Sequence, residues 1–142
     1  MASERTPWEM TIQFQTDPET FRVVRRSITS ALRTAGLSES RTLDVEVAVG
    51  EILSNAYVHA YGQKPGLLAI DLKFDGDQFV LLIHDHGKPL TAIPEIPQTL
   101  PRPTGTGGRG LYLVGQLMDA AEILHPGPTG LGTAVRIVKR LR

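Results

Sequence analysis

A two-layer α/β sandwich, with a mixed or antiparallel sheet carrying its helices on one face, is the fold class that the sequence predicts. Three observations lead there. Strand-like and helix-like stretches do not alternate one for one, as βαβ units and a parallel sheet would require. Two apolar runs, Leu67–Phe74 and Phe79–His84, flank Asp75-Gly76-Asp77, and an Asp-Gly pair between such runs signals a hairpin. A length of 142 residues, 41% hydrophobic and 21% charged, is that of one globular domain with a genuine core, spanning 1–142.

The elements follow in order. Met10, Ile12 and Phe14 alternate with polar residues, predicting a half-buried strand over Met10–Gln15. Thr16-Asp17-Pro18 starts a helix, because a short polar side chain caps it and proline loses nothing in the first turn. Phe21, Val24, Ile28, Ala31 and Leu32 recur at helical spacing, and Gly36 ends the helix. Ser38 or Ser40 caps a second helix that runs to about Tyr61, with Gly62 closing it. After the hairpin, Gly87 to Gly108 has no periodicity and holds five prolines (Pro89, Pro94, Pro97, Pro101 and Pro103). A structureless stretch of that length inside a compact domain reads as a functional lid or a disordered segment. A helix over Leu111–Met118 and strands near Ala121–Leu124 and Thr133–Val138 complete the chain.

Composition removes several function classes. The absence of cysteine excludes disulfides, iron–sulfur clusters, thiolate zinc sites and thiol catalysis. Fifteen basic against fifteen acidic residues argues against a nucleic-acid partner. No apolar run is long enough to span a membrane, and Met1 to Met10 lacks the apolar core of a signal peptide, so a cytoplasmic protein is expected.

Three stretches carry chemistry. Glu51, Asn55 and His59 stand at steps of four on the second helix and form one polar stripe, while Val45, Ala48, Val49, Ile52, Leu53 and Ala56 are apolar. Such a stripe is either a solvated face or the wall of a pocket with a base and an oxygen ligand. Asp85-His86-Gly87-Lys88-Pro89 follows a strand directly, either as an ordinary turn or as an acceptor beside a glycine that lets a ligand approach. His84 and His86 share a side if the strand persists, leaving a metal-dependent hydrolase built on His84, Asp85 and His86 as an outside reading. Gly105-Thr106-Gly107-Gly108-Arg109-Gly110 opens a helix, where free backbone N–H groups bind anions. It matches neither a P-loop nor a dinucleotide-binding fingerprint.

Taken in order, Glu-x-x-x-Asn on a helix, Asp-x-Gly after a hairpin, a Gly-rich turn before a helix, and Gly132-Thr133 before a strand resemble the GHKL ATP-binding family. Within it, the run Glu51-Ile-Leu-Ser-Asn55-Ala-Tyr-Val-His59-Ala-Tyr61 is most similar to the bacterial anti-sigma factor serine/threonine kinases. The resemblance implies the Bergerat form of the α/β sandwich, with the Pro-rich stretch as its ATP lid. It implies Glu51 as the general base, Asn55 as the Mg²⁺ ligand, and Asp85 as acceptor of the adenine amino hydrogen, with Gly87 and Thr133 beside the ring. Thr106, Gly107, Gly108, Arg109, Gly110 and Leu111 correspond to the phosphate-binding turn. Lys88 stands where a further glycine is more usual in the family. The histidine-kinase, topoisomerase and chaperone branches carry further domains that this sequence is not expected to have. The implied activity is phosphorylation, with ATP and Mg²⁺, of a STAS-domain anti-anti-sigma factor by a protein that also sequesters a sigma factor. A homodimer is implied too, as are no nucleic acid and no membrane among the partners. A nucleotide-binding switch that acts only through protein–protein binding is the alternative.

Overall fold

The computed structural model describes residues 5–87, 95–99, 109–124 and 132–142. Five strands and three helices run in the order β1 (Trp8–Gln15), α1 (Pro18–Thr34), α2 (Glu39–Asn55), β2 (Leu67–Phe74), β3 (Gln78–Asp85), α3 (Arg109–Leu117), β4 (Ala120–Leu124) and β5 (Ala134–Arg140). The sheet order is β1-β2-β3-β5-β4, and every pairing is antiparallel. The sandwich expected from the sequence is therefore present, with its sheet wholly antiparallel.

Capping residues set the helix bounds. The Asp17 carboxylate accepts from Glu19 N–H and the Ser38 hydroxyl from Arg41 N–H, fixing the starts of α1 and α2. Helix α1 ends in a Schellman turn. Gly36, at φ +102°, donates to the Arg33 carbonyl, and Leu37 donates to that of Leu32. Gly36 supplies a conformation that a side chain disfavours, and Leu37 and Leu32 are both buried next to the turn.

Strand alternation decides the core. Phe14, Leu68, Ile70, Leu72, Phe79, Leu81, Ile83, Val135 and Ile137 share the sheet face that meets Val24, Ile28 and Leu32 of α1 and Val45, Val49, Ile52 and Leu53 of α2. Each such side chain contributes about 1.5–3 kcal/mol by leaving water. The hairpin forms as its sequence requires. Gly76 takes φ +103°, and the Asp75 carboxylate accepts from Asp77 and Gln78 N–H at 2.8 and 2.9 Å.

The end of the second helix departs from expectation. Helix α2 stops at Asn55, and residues Ala56–Ala60 form a π-helical turn instead of continuing to Tyr61. Widening to i→i+5 bonds is visible in Tyr61 N–H donating to the Ala56 carbonyl at 3.2 Å. Gly62 and Gln63 then adopt φ +58° and +63°, turning the chain back toward β2. Apolar periodicity continues through Ala56 and gives no sign of the change, so a sequence pattern cannot separate π from α here.

Among the described residues, no helix is long and apolar enough to cross a membrane.

Candidate functional site

Four segments meet on the helix side of the sheet, at the end where α2 finishes. The first brings Glu51 and Asn55, both half-buried, from the last turn and a half of α2. His59, the third member of the sequence stripe, lies in the π turn and is exposed. The Asn55 amide makes no hydrogen bond to a described residue.

The second segment is the end of β3. Phe79, Leu81 and Ile83 point into the core, and the same alternation carries Asp85 to the helix side, where it is buried. Its Oδ1 accepts from Gly87 N–H at 2.9 Å and from Thr133 N–H at 3.4 Å, while its own N–H donates to the Thr133 carbonyl at 3.0 Å. Its Oδ2 accepts from no described residue. Burial raises the Asp85 pKa above the ordinary carboxylate value, against the lowering effect of the Gly87 and Thr133 amides. One saturated oxygen and one without a described partner, on a buried carboxylate, fit a ligand that donates a hydrogen bond.

The third segment is the start of α3, whose first residue, Arg109, is exposed and whose third, Leu111, is half-buried. A Cβ placed on Gly110 would collide with the Glu51 carboxylate. The first turn of α3 therefore lies directly against Glu51. Gly132 and Thr133, ahead of β5, are the fourth. Gly132 is buried at φ +65°, and a Cβ there would strike the Asp85 backbone carbonyl. Gly87 closes the circle: a Cβ there would fall 2.7 Å from the Ala60 carbonyl oxygen, so the turn after β3 packs onto the π turn after α2.

The structure thus brings Glu51 to Gly110, and Asp85 to Gly87 and Thr133. Thr106, Gly107 and Gly108 lie outside the described residues, as do Lys88 and most of the Pro-rich stretch. Two contributors stand in the sequence motifs, but sequence reasoning gave neither a role in the site. Gly132 reads as the opening of a strand, and its role as the floor beneath Asp85 depends on a contact 47 residues away, between Gly132 and Asp85. Tyr61 reads as the tail of a helix, although its hydroxyl accepts from His86 N–H at 2.9 Å and donates to the Leu67 carbonyl.

The outside reading on His84, Asp85 and His86 meets a geometric obstacle. His84 projects to the opposite sheet face from Asp85 and sits 3.4 Å from the Asp71 carboxylate. No cluster of three His, Asp or Glu side chains suited to a metal occurs among the described residues. A magnesium ion at Asn55 would take most of its ligands from phosphate oxygens and water, as magnesium commonly does, so a single amide oxygen on the protein side fits.

Residues 14–139 match the model of the histidine kinase-like ATPase domain. The chain belongs to that family. It is 25% identical over 125 residues to the serine-protein kinase RsbW of Listeria innocua, covering 82% of this chain and 80% of that protein. It is 26% identical over 137 residues to the anti-sigma F factor of Anoxybacillus flavithermus, covering 94% and 92%. A crystal structure of RsbU and RsbW domains from Mycobacterium tuberculosis superposes with a TM-score of 0.64 at 19% identity. It covers 94% of this chain, which spans 32% of that longer one. The mycobacterial sensor histidine kinase MprB gives a TM-score of 0.52 at 20% identity over 91% of this chain and 97% of that one. At these identities the two structures show the fold.

Proposed function

We propose that this protein is an ATP-dependent serine/threonine kinase and anti-sigma factor, acting on a STAS-domain anti-anti-sigma factor and sequestering a sigma factor. The observation that carries the reading is the buried Asp85 carboxylate, with Oδ1 held by two backbone amides and Oδ2 bonded to no described residue, beside a Gly87 turn that packs on the segment following α2, while Gly110 of α3 packs on Glu51. The family and the names of its relatives support it.

In this reading Asp85 Oδ2 accepts a hydrogen from the adenine amino group, with Gly87 and Thr133 flanking the ring. Backbone N–H groups at Gly110 and Leu111 receive phosphate oxygens, assisted by Thr106, Gly107, Gly108 and the Arg109 guanidinium. Asn55 holds Mg²⁺, which neutralises charge on the triphosphate. Glu51 takes the proton from the acceptor hydroxyl as its oxygen bonds to the γ-phosphorus. The bond from that phosphorus to the bridging oxygen breaks, and ADP departs. Positioning and charge neutralisation supply most of the acceleration in phosphoryl transfer, and a placed base adds about 10²–10⁴.

The implied partners are the sigma factor, the STAS-domain protein and a second copy of this chain, in the cytoplasm, with neither nucleic acid nor membrane involved. The edge strand β1 and helix α1, whose Val23 is 64% exposed, are the surfaces available to the second copy.

Incubation with γ-labelled ATP, Mg²⁺ and a purified cognate STAS-domain protein tests the activity. Transfer of label to a serine or threonine, lost in Glu51→Gln, is expected. Tight partner binding without transfer would overturn the kinase reading in favour of a nucleotide-binding switch.

A further inference from the structure

Tyr61 occupies an unusual place. It follows directly on the π turn, and two consecutive residues with positive φ, Gly62 and Gln63, come after it. The π turn puts its backbone N–H onto the Ala56 carbonyl, and Lys64 N–H donates to the Tyr61 carbonyl at 3.1 Å. The segment beyond is fixed from the other side by Thr16, which is almost fully buried. Its hydroxyl accepts from Gly66 N–H at 2.7 Å and donates to the Lys64 carbonyl at 3.1 Å. The Tyr61 ring covers Gly66 so closely that a Cβ there would overlap it. Ring and backbone are thus held in place by neighbours on several sides.

The hydroxyl at the end of that ring joins two strands that flank the site. It donates to the carbonyl of Leu67, the first residue of β2, and accepts from the N–H of His86, the residue between Asp85 and Gly87. His86 lies just past β3, where sheet pairing no longer supplies an acceptor for its N–H. The Asp85-His86-Gly87 turn is therefore fixed at three points. Asp85 Oδ1 ties Gly87 N–H from within, Thr133 ties Asp85 from just ahead of β5, and Tyr61 ties His86 from the end of the π turn that follows α2. The first two fix the carboxylate itself. The third fixes His86 N–H relative to β2 and to the π turn that follows α2, the helix that carries Glu51 and Asn55.

We infer that Tyr61 is a positioning residue for base recognition. By clamping His86 N–H to the Leu67 carbonyl, its hydroxyl sets the direction in which Asp85 presents its carboxylate to a purine amino group. The inference rests on the nucleotide reading above, and it separates recognition of the base from recognition of the phosphates, which belongs to the start of α3 and to Asn55. Discrimination between an amino-bearing and a carbonyl-bearing purine depends on direction, because a displaced acceptor loses the wanted hydrogen bond and no longer repels the wrong group.

Tyr61→Phe in the full chain tests this, since it keeps the ring over Gly66 and removes only the oxygen. Titration calorimetry would measure the affinities of ATP, GTP and inorganic tripolyphosphate, each with Mg²⁺, alongside thermal melting. The expected result is an ATP preference over GTP that falls about tenfold, the scale of one ordered hydrogen bond, with tripolyphosphate affinity unchanged and a single cooperative melt retained. A merely structural hydroxyl would lower all three affinities together or none, and either pattern overturns the inference. Wild-type protein that binds tripolyphosphate but does not distinguish ATP from GTP would also overturn it. If wild-type protein bound none of the three, the nucleotide reading itself would fall and the Tyr61 role with it.

Discussion

Asp85 is held between opposing influences. Burial disfavours its charge and raises its pKa, while the Gly87 and Thr133 amides favour the charge and lower it, with burial the larger. An acid whose pKa is higher in the fold than in the unfolded chain stabilises the fold in its protonated form. That contribution is complete below the ordinary carboxylate pKa and is lost as pH rises through the folded value. Once pH has risen past the folded value, the ionised group therefore opposes folding. Asp85→Asn keeps an oxygen for both amides and carries no charge to desolvate. Its melting temperature should equal or exceed that of wild type at neutral pH, the gap closing as pH falls through the acid range, as thermal melts across pH would record. The same substitution should weaken ATP binding about ten- to a hundredfold, the weight of a hydrogen bond to a charged group. Glu51→Gln should do the reverse, leaving ATP affinity near wild type while phosphoryl transfer drops about 10²–10⁴-fold. The proposed site residues Glu51, Asn55 and Asp85 were picked out in the sequence because the order and spacing of their motifs together resemble a known family, whereas each motif alone also reads as a solvated face or an ordinary turn. Tyr61 was not, because its function lies in two hydrogen bonds to distant backbone, and no local spacing encodes those.

At the scale of elements, the placement of α3 brings Gly110 against Glu51, and in the proposed reading it brings the phosphates there too. Part of that placement comes from Lys139 of β5, whose side chain is only 6% exposed. Its ammonium donates to the Asp44 carboxylate of α2 at 3.1 Å and to the Leu117 carbonyl at the α3 C-terminus, where a cation also complements the helix dipole. Lys139→Met should destabilise the protein by about 3 kcal/mol, the low end for a broken buried pair because Asp44 still meets water, as denaturant titration would measure. Gly132→Ala is a sharper case. It combines a left-handed backbone with a collision against the Asp85 carbonyl, and should lower stability by at least about 1–3 kcal/mol along with ATP binding. Sequence periodicity located both hairpin strands, the first helix and the start of the second to within a few residues, since caps and turn residues act locally. It overran α2 by six residues, from Asn55 to Tyr61, because apolar Ala56, Tyr57 and Val58 continue the run of helix-compatible residues and nothing in their types marks the change in backbone closure.

Over the whole molecule, the sheet serves as a frame with one face used for the core and one end used for the site. An antiparallel sheet was an open alternative in the sequence, and the register of β3 with β5 explains why the site needs it. Pairing His84 with Ala134 sets Thr133 opposite Asp85, so β5 approaches β3 from the far side and delivers Thr133 to the carboxylate. That long-range pairing is invisible to local pattern. As the proposed homodimer, the protein should sediment as a dimer in analytical ultracentrifugation at micromolar concentrations, and a monomer there would remove the second copy from its partners. The central claim is that residues on or beside α2, β3, α3 and β5 form a single site for a magnesium-bound adenine nucleotide. Titration of Mg²⁺ and ATP into wild type, Asp85→Asn and Glu51→Gln by calorimetry tests that claim most directly. Saturable binding by wild type and Glu51→Gln, strongly weakened in Asp85→Asn, is the predicted result. No binding by folded wild type, or equal binding by all three, would contradict it.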